Sequence, residues 1–470
     1  MARPPALHRW WPVFLIVLLV GLAYANGLQA SFQFDDWEVI VRNPRVQGVA
    51  AWWAAMPGMR PLLTLSYALN HEFGAGATGF HAVNVMVHAG NGLLILFLVR
   101  RFAAQPGELP ARAGWLALAT ALIFVLHPVQ TEAVTYASGR ATSLGALFAL
   151  ASIAVWVKGR EMPSGGASPP LLLYLVSPLL MLAAIATRET MAIVPAVLLL
   201  WEGADVSRPL TWRGVLTRTG LHWLVLAGAL PAVLSLPVHG DPVAGSLATG
   251  SVTGNLVGWL RGIRYLAGQL LNIDRLNADP HLPAVVGLDG TGAATLVVLV
   301  VAGGLAVSTL RRYPLPAFAV LWFLLWLAPT NSLLAGPDVV NDRQLYVALA
   351  GPALLLAAAI RRLATRQPRL ALAAFVAVLG LAGLATHLRN EVYLDEATFW
   401  RDVIGQSPRN ARAFTNLGTA LAGECDLRGA EQAWRRALAI DAGYTPAETS
   451  LRLLGEGQLP EGAGSCADRR

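Results

Sequence analysis

Long apolar runs alternate with short polar stretches along most of this chain. Eleven such runs can be distinguished, and most reach the length of about 17–22 residues with which a helix crosses a bilayer. They lie near residues 10–28, 82–99, 113–127, 140–157, 169–187, 190–202, 220–238, 290–310, 315–334, 344–360 and 369–388. The pattern predicts an all-α fold, a polytopic membrane helix bundle of about 11 spans. A weaker run at 253–272 predicts an interfacial helix, with a further crossing as the alternative.

Basic residues occupy the polar stretches in a regular order. They precede the first run or follow the second, fourth, sixth, eighth and tenth: Arg3, Arg9, Arg100, Arg101, Arg112, Lys158, Arg160, Arg208, Arg213, Arg218, Arg311, Arg312, Arg361, Arg362, Arg366 and Arg369. With a cytoplasmic N-terminus all of them fall on the cytoplasmic side, in agreement with the positive-inside rule. The first apolar run is long, and the loop after it carries motifs that need to be fixed in place, which predicts a retained anchor and not a cleaved signal peptide. The loops 29–80 and 239–289 and the C-terminal part would be periplasmic.

The chain changes character near Arg389 and becomes polar and helical in pattern. Small residues at fixed offsets, among them Gly418, Ala430, Ala433 and Ala437, would let two antiparallel helices pack closely, as in one tetratricopeptide repeat. One helix pair cannot bury a core alone, so helices over 395–406 and near 446–455 are expected to complete it. We assign residues 1–389 to a transmembrane domain, 390–456 to a periplasmic tetratricopeptide-like module and 457–470 to a disordered tail.

Composition agrees with a membrane protein. Of the 470 residues 55% are hydrophobic and 13% are charged, whereas soluble domains carry about 25% charged residues. The net charge of +7 comes from the arginine clusters between the runs, so it does not indicate nucleic acid binding. Two cysteines, Cys425 and Cys466, permit a disulfide without implying one.

Candidate chemistry lies at the predicted periplasmic ends of the spans. The acidic pair Asp35 and Asp36 follows the first run, and further polar groups share its predicted side: Arg60, His81, His127, Glu132, Arg140, Arg188, Glu189 and Arg343. Charged groups that gather at one membrane face indicate a common cavity. A carboxylate that removes a hydroxyl proton, opposed by arginines that grip a phosphate, fits glycosyl transfer from a lipid-phosphate sugar. We therefore expect Asp35, Arg60, Glu132, Arg188 and Arg343 to line one outward cavity.

Each candidate also has a structural explanation. The acidic pair is typical of a solvated loop or a helix cap, and Arg60 is typical of contact with lipid headgroups. His81 fits a hydrogen-bonded core position, and His127 fits a cap before a proline. Arg188 and Glu189 fit an ion pair that closes a turn. An acidic pair can also hold a divalent cation, so metal dependence stays open.

The motifs occur in a fixed order, which is Phe34-Asp35-Asp36, Asn43-Pro44, Arg60-Pro61-Leu62, Phe80-His81-x-x-Asn84-x-x-x-His88, His127-Pro128-x-x-Thr131-Glu132, Arg188-Glu189 and Arg343-x-x-Tyr346. Together with the C-terminal module, this order resembles the transmembrane O-mannosyltransferases with tetratricopeptide repeats and their bacterial relatives, members of the GT-C glycosyltransferase superfamily. Two positions depart from the family pattern: Arg188 stands where Lys is common, and Asp342 where Glu is common. The repeat array is also much shorter than in the eukaryotic proteins.

The resemblance implies an inverting enzyme that moves a single sugar, such as a mannose-like hexose, from a polyprenyl-phosphate donor. The acceptor would be a hydroxyl on a protein Ser/Thr, a glycan or a lipid, at the extracytoplasmic face of the bacterial inner membrane. Asp35 and Asp36 would be the catalytic pair. Other expected partners are membrane lipids and a protein that docks on the repeat module.

Two other functions remain as alternatives. A transporter or flippase of lipid-linked saccharide would place ionisable groups deep in the membrane and show internal repeats, and neither is evident in the sequence. A membrane scaffold would recruit envelope partners through the repeat module alone.

Overall fold

The computed structural model describes residues 7–56, 58–74, 76–104, 110–162, 168–235, 252–282, 287–330 and 340–460. All regular elements within these ranges are helical, which confirms the all-α prediction. The helices of more than ten residues are α1 Leu7–Ala23, α2 Pro61–Glu72, α3 Gly76–Ala103, α4 Pro110–Leu126, α5 Arg140–Glu161, α6 Ser177–Thr187, α7 Val194–Ala204, α8 Trp212–Ser235, α9 Val252–Gln269, α10 Gly290–Thr309, α11 Pro314–Leu327, α12 Ala350–Ala364, α13 Pro368–Asn390, α14 Glu396–Gln406, α15 Ala411–Gly423, α16 Leu427–Ile440 and α17 Thr445–Gly455.

Several of these helices suit a bilayer. Within the ranges given above, four segments are long and apolar enough to cross a membrane: Gly76–Ala103, Ala137–Glu161, Gly290–Thr309 and Pro368–Tyr393. Two bent pairs raise the number to six, Ala111–Leu126 with Pro128–Val134 and Asp342–Ala348 with Ala350–Ala364, bent by 56° and 57°. The chain is thus a multi-pass membrane protein, and the count of eleven spans stays a prediction.

Breaks in the apolar runs explain much of the difference in number. The run at 169–187 is helical throughout, with a π-helical turn at Leu172–Val176 before α6, and the run at 190–202 contains the short helix α7. An extended residue, Arg188, and a turn of 3₁₀ helix over Glu189–Ile193 separate the two. The run at 344–360 is preceded by a 3₁₀ turn at Asp342–Gln344 and bends before α12. Polar groups occupy these breaks, because backbone freed from a helix needs other hydrogen-bond partners.

The core of the bundle is formed by α3, α4, α5, α7, α11 and α12. Helix α4 is enclosed by its neighbours, and Phe124 and Val125 are completely buried. Helices α11 and α12 approach so closely that a Cβ atom at Gly351 would collide with the carbonyl oxygen of Ala319. Small residues at such crossings allow the close backbone contact on which helix packing in membranes depends.

The two ends of the bundle differ in their charged groups. Helix α5 carries Arg140 at its start and Arg160 near its end, about 30 Å apart at a rise of about 1.5 Å per residue. At the Arg160 end Arg101 pairs with Glu161 at 3.1 Å, and Arg311 donates to the carbonyl oxygen of Arg208 at 3.1 Å. Four of the polar stretches predicted to be cytoplasmic therefore meet at one end. Which side of the membrane this end faces stays a prediction.

The C-terminal helices stack as α14 to α17. Within the antiparallel pair α15 and α16, the Trp434 indole donates to the carbonyl oxygen of Thr415 at 3.0 Å, and a Cβ atom at Gly418 would collide with the Trp434 ring. The expected close helix pair is therefore present, while its assignment as a tetratricopeptide repeat stays a prediction. Cys425, in the turn between the two helices, is disulfide-bonded. Cys466 and most of the predicted disordered tail lie outside the described residues.

Candidate active site

The acidic loop after α1 is fixed by Asp36. This side chain is fully buried, and its two oxygens accept backbone N–H groups, Oδ1 from Ser138 at 2.7 Å and Oδ2 from Gln33 at 3.0 Å. Burial raises the pKa of Asp36 to about 7, and the repulsion of Asp35 adds to the rise, although the two N–H donors oppose it. Asp36 thus joins the acidic loop to the turn before α5, and it fixes the backbone next to Asp35.

Asp35 lies beside a strained backbone position. Phe34 has the left-handed φ of 41°, a conformation that is costly for a side chain of this size and is often found at functional sites. Its N–H donates to Glu396 Oε1 at 3.3 Å, and its ring meets the Trp400 ring edge-on at 5.2 Å. The N–H of Asp35 donates to the Tyr136 hydroxyl at 3.0 Å. Contacts on both sides therefore hold the Asp35 backbone in place.

A cavity, called here the Asp35 cavity, opens beside this loop. Its walls come from the acidic loop, the turn before α5, the loop after α9, the turn before α12 and helix α14, and its lining residues are Phe34, Asp35, Glu132, Tyr136, Ala278, Asp279, Arg343, Phe399 and Trp400. Acidic, basic and aromatic groups from distant parts of the chain thus converge on one carboxylate.

A second cavity, called here the Arg188 cavity, shares Arg343 with the first. It is lined by Thr142, Arg188, Thr190, Met191, Trp326, Thr330, Arg343, Gln344, Tyr346 and Val347. The backbone N–H of Arg343 donates to Glu132 Oε2 at 2.9 Å, and its Nε lies 3.6 Å from Glu132 Oε1. Four of the five residues expected to line one cavity therefore line two adjoining cavities that share Arg343, and Arg60 lines neither.

The arginines around the Arg188 cavity carry an excess of positive charge. Arg60, whose backbone is also left-handed with φ 48°, grips Glu189 through Nε and Nη2, each at 2.9 Å from a carboxylate oxygen. Arg188 donates to the Thr190 hydroxyl at 3.3 Å. Arg60, Arg188 and Arg343 are three cations against the two carboxylates of Glu132 and Glu189. The arrangement therefore favours an anion.

Arg188 is the cation best placed to receive that anion. Burial lowers its pKa to about 9, and repulsion by Arg60 and Arg343 adds to the shift. It therefore stays protonated at neutral pH but is poorly stabilised. Among the described residues no carboxylate lies within ion-pair distance of it. An incoming phosphate would supply the missing charge and hydrogen-bond acceptors.

Arg140 is separated from both cavities. It is fully buried, and its guanidinium donates to Asn84 Oδ1 at 2.7 Å and to Asn70 Oδ1 at 2.6 Å. It also lies over the rings of Tyr67 and Phe80. These contacts tie α2 and α3 to the start of α5, below the acidic loop, and the predicted substrate contact remains untested.

The two histidines also line neither cavity. A ring nitrogen of His81 lies 2.9 Å from the carbonyl oxygen of Ala30. His127 Nδ1 accepts the N–H of Val129 at 3.2 Å, which caps the turn that begins at Pro128. Both positions match the structural explanations given above, and their predicted binding roles remain untested.

A divalent cation does not fit the acidic pair well. Both Asp36 oxygens already accept backbone N–H groups. No group of three or more His, Cys, Asp or Glu side chains that could hold a metal occurs within the ranges that the structure describes.

Several residues at the site escaped the sequence-based prediction. Tyr136, Asp279, Phe399 and Trp400 line the Asp35 cavity, and Glu396 contacts its acidic loop. Glu396, Phe399 and Trp400 share one face of α14, as their spacing of three and four residues predicts. That spacing indicated a buried face, but nothing in the sequence indicated that the face covers the acidic loop.

The chain is similar to several protein O-mannosyl-transferases. Human TMTC2 is 25% identical over 90% of this chain and 62% of its own length. Mouse TMTC3 is 26% identical over 88% of this chain and 49% of its own length. Human TMTC4 is 32% identical over 33% of this chain and 25% of its own length.

These similarities confirm the resemblance inferred from the ordered motifs. The chain spans less than two thirds of the length of these relatives, between 25% and 62%. No protein-family model matches the chain, and no solved structure matches it.

Proposed function

Because the chain is similar over 90% of its length to a protein O-mannosyl-transferase, we propose that it is an inverting glycosyltransferase of the GT-C type. It moves a single sugar, such as a mannose-like hexose, from a polyprenyl-phosphate donor to a hydroxyl acceptor. The observation that carries this proposal is the arrangement of Asp35 and Arg188 in adjoining cavities that share Arg343. A base and a phosphate-binding cation are the minimal parts of the reaction.

Asp35 acts as the general base in this proposal. Its carboxylate takes the proton of the acceptor hydroxyl while the hydroxyl oxygen forms a bond to the anomeric carbon. The bond between that carbon and the phosphate oxygen breaks, and the electron pair leaves with the lipid phosphate. A single displacement of this kind inverts the anomeric centre. The buried, doubly hydrogen-bonded Asp36 is the positioning residue behind Asp35.

The arginines hold the donor phosphate. Arg188 offers its guanidinium to the phosphate oxygens and stabilises the negative charge that grows as the bond breaks. Arg343 lies at the junction of the cavities and fixes the reacting carbon between base and phosphate. Arg60 acts indirectly. Its hydrogen bonds to Glu189 stabilise the turn that carries Arg188.

The acceptor has to displace part of the cavity wall. The Asp35 cavity holds about 20 Å³, which is room for about one water molecule. Phe399 and Trp400 of α14 form that wall. We therefore place acceptor entry at the contact between α14 and the acidic loop, so the C-terminal helices control access to the base.

The proposed location of the reaction is the periplasmic face of the inner membrane. The basic clusters gather at the end of the bundle opposite Asp35, in the arrangement that the positive-inside rule gives to a cytoplasmic end. Cys425, on the C-terminal helices beside the Asp35 end, is disulfide-bonded. Disulfides persist in oxidising compartments such as the periplasm.

Sugar transfer in membranes tests the proposal. Membranes with wild-type chain or Asp35→Asn receive a labelled polyprenyl-phosphate sugar, and glycoproteins and glycolipids are compared by mass spectrometry. We expect Asp35→Asn to lower the rate at least about a hundredfold, the usual contribution of a general base. The matched control is Glu38→Gln, which replaces an exposed carboxylate in the same loop and should keep the wild-type rate.

A second pair of variants tests the donor side. Arg188→Ala should raise the KM for the donor and lower the rate about tenfold, because a charge-assisted hydrogen bond to the phosphate is lost. Arg45→Ala removes an exposed arginine from the first loop and should change neither. Equal transfer by wild type and Asp35→Asn, with both proteins inserted, would overturn the proposal and favour a transporter or a scaffold.

A further inference from the structure

A cavity much larger than the Asp35 cavity lies at the opposite end of the bundle. It measures about 310 Å³, against about 20 Å³ for the Asp35 cavity. Its walls are the ends of α3, α5 and α7 and the loop after α7, and its lining residues are Arg101, Phe102, Ala104, Arg160, Glu161, Trp201, Asp205, Ser207 and Arg208. The proposed glycosyl transfer makes no use of this cavity, which we call the basic-end cavity.

Arg160, in the wall of this cavity, is buried, and two of its guanidinium nitrogens make no hydrogen bond to the described residues. Its side chain is 2% exposed. It donates through Nη2 to Asp205 and lies over the Trp156 ring at 4.9 Å. Its Nε lies 3.7 Å from Glu202 Oε1, outside hydrogen-bond distance, and that oxygen already accepts from Arg218 at 2.7 Å. Nε and Nη1 of Arg160 are thus buried without a hydrogen-bond partner among the described residues. A buried charged donor in this state is costly, so an acceptor that enters the cavity would stabilise it.

The charge of the lining favours an anionic occupant. Arg101, Arg160 and Arg208 are three cations, and Glu161 and Asp205 are two anions. Both carboxylates are already paired, Glu161 with Arg101 at 3.1 Å and Asp205 with Arg160. One positive charge is left over. Guanidinium groups on three different elements suit the several oxygens of a phosphate group.

The surroundings of the cavity place it at the level of lipid headgroups. Leu210 and Trp212, which follow the lining residue Arg208 in the sequence, are exposed, Trp212 to 71%. The Arg213 guanidinium lies over the Trp212 ring at 5.2 Å. Exposed tryptophan beside arginine is typical of the boundary between membrane and water. Basic pockets between helices at this depth are suited to anionic lipid headgroups.

We propose that the basic-end cavity binds the phosphate of an anionic membrane lipid, with Arg101, Arg160 and Arg208 as its ligands. The lipid phosphate fills the cavity from the membrane side, accepts hydrogen bonds from Arg160, and joins the ends of α3, α5 and α7. This site is separate from the donor site, since Thr142, which lines the Arg188 cavity, is separated from Arg160 by about 27 Å of α5.

Lipid binding to the purified full chain tests the site. The detergent-solubilised protein is titrated with short-chain phosphatidylglycerol, phosphatidylcholine or inorganic phosphate, and bound molecules are counted by native mass spectrometry. Arg101→Ala combined with Arg208→Ala removes two half-exposed ligands and leaves the buried Arg160 pairs intact. We expect phosphatidylglycerol to bind the wild type and to bind this double variant at least about tenfold more weakly.

Arg100→Ala is the matched control. Arg100 precedes Arg101 on the same exposed helix end but does not line the cavity, so this variant should bind phosphatidylglycerol like the wild type. Equal weakening by Arg100→Ala would mean unspecific surface attraction and would overturn the site. Equal binding of phosphatidylcholine would overturn the anion preference. Binding of inorganic phosphate with the affinity of phosphatidylglycerol would overturn the lipid as the occupant.

Discussion

At the scale of single residues, the two adjacent carboxylates have opposite surroundings. Asp35 lines a cavity, whereas Asp36 is enclosed and accepts two backbone N–H groups. This division explains how one dipeptide can supply both a base and its support. It also predicts different consequences for the two positions: replacement of Asp35 should affect transfer, and replacement of Asp36 should affect stability.

The raised pKa of Asp36 predicts a pH dependence of stability. Burial raises this pKa from 3.8 to about 7, so folding favours the protonated form. The stabilisation is complete below about pH 4 and is lost as the pH rises through about 7. The free energy of unfolding should therefore fall over this range, and Asp36→Asn, which cannot ionise, should lack this part of the fall.

Thermal unfolding of the detergent-solubilised protein at pH 5 and pH 8 measures this effect. The difference in Tm between the two pH values should be smaller for Asp36→Asn than for wild type. Glu38→Gln, at an exposed carboxylate in the same loop, should keep the wild-type difference. Identical differences in wild type and Asp36→Asn would show that Asp36 does not titrate in this range.

Much of the candidate site could be predicted residue by residue. Asp35, Glu132, Arg188 and Arg343 are polar groups at the ends of apolar runs, and the parity of the runs assigned them to one face. The support of Asp36 by Ser138 could not be predicted, because it joins positions 102 residues apart through a backbone N–H. Any residue type at position 138 except proline offers that donor.

At the scale of elements, α14 belongs as much to the site as to the C-terminal helices. Glu396 at its start accepts the N–H of Phe34 and the indole N–H of Trp37, each at 3.3 Å. The helix boundary was predictable from its pattern. Its position over the acidic loop was not, since amphipathic spacing specifies a buried face but not the surface that covers it.

Glu396 should therefore act as a positioning residue for Asp35. Glu396→Ala removes both acceptors, so we expect kcat for sugar transfer to fall about tenfold while the KM for the donor stays the same. Glu396→Gln keeps one acceptor oxygen and should restore part of the rate. The control is Glu391→Gln, which replaces an exposed carboxylate and should keep the wild-type kcat. A rise in the KM for the donor in Glu396→Ala would contradict a role of Glu396 confined to positioning Asp35.

At the scale of the whole molecule, the charged groups divide the bundle into two ends. Carboxylates, arginines and aromatic rings form the Asp35 end, and ion-paired arginines around Arg160 form the other. The regular order of basic clusters predicted this division from the sequence. The number of spans was harder to predict, because an apolar run does not reveal the bend that divides it, as before α12.

Labelling from one side of the membrane tests the orientation. In a Cys425→Ser, Cys466→Ser background, Glu38→Cys and Arg312→Cys place single thiols at exposed positions on the Asp35 end and the basic end. A maleimide that cannot cross the inner membrane should label Glu38→Cys in cells with a permeable outer membrane, and Arg312→Cys only after lysis. The background chain is the control. The reverse pattern would invert the proposed topology.

The contact between Phe34 and Glu396 joins residues 362 positions apart. During synthesis at about 5–20 residues per second, the acidic loop would wait roughly 20–70 s for α14. Until then the strained Phe34 backbone lacks the carboxylate that holds it. The nascent protein would therefore enter the membrane as an inactive precursor, and activity would begin only after the synthesis of α14.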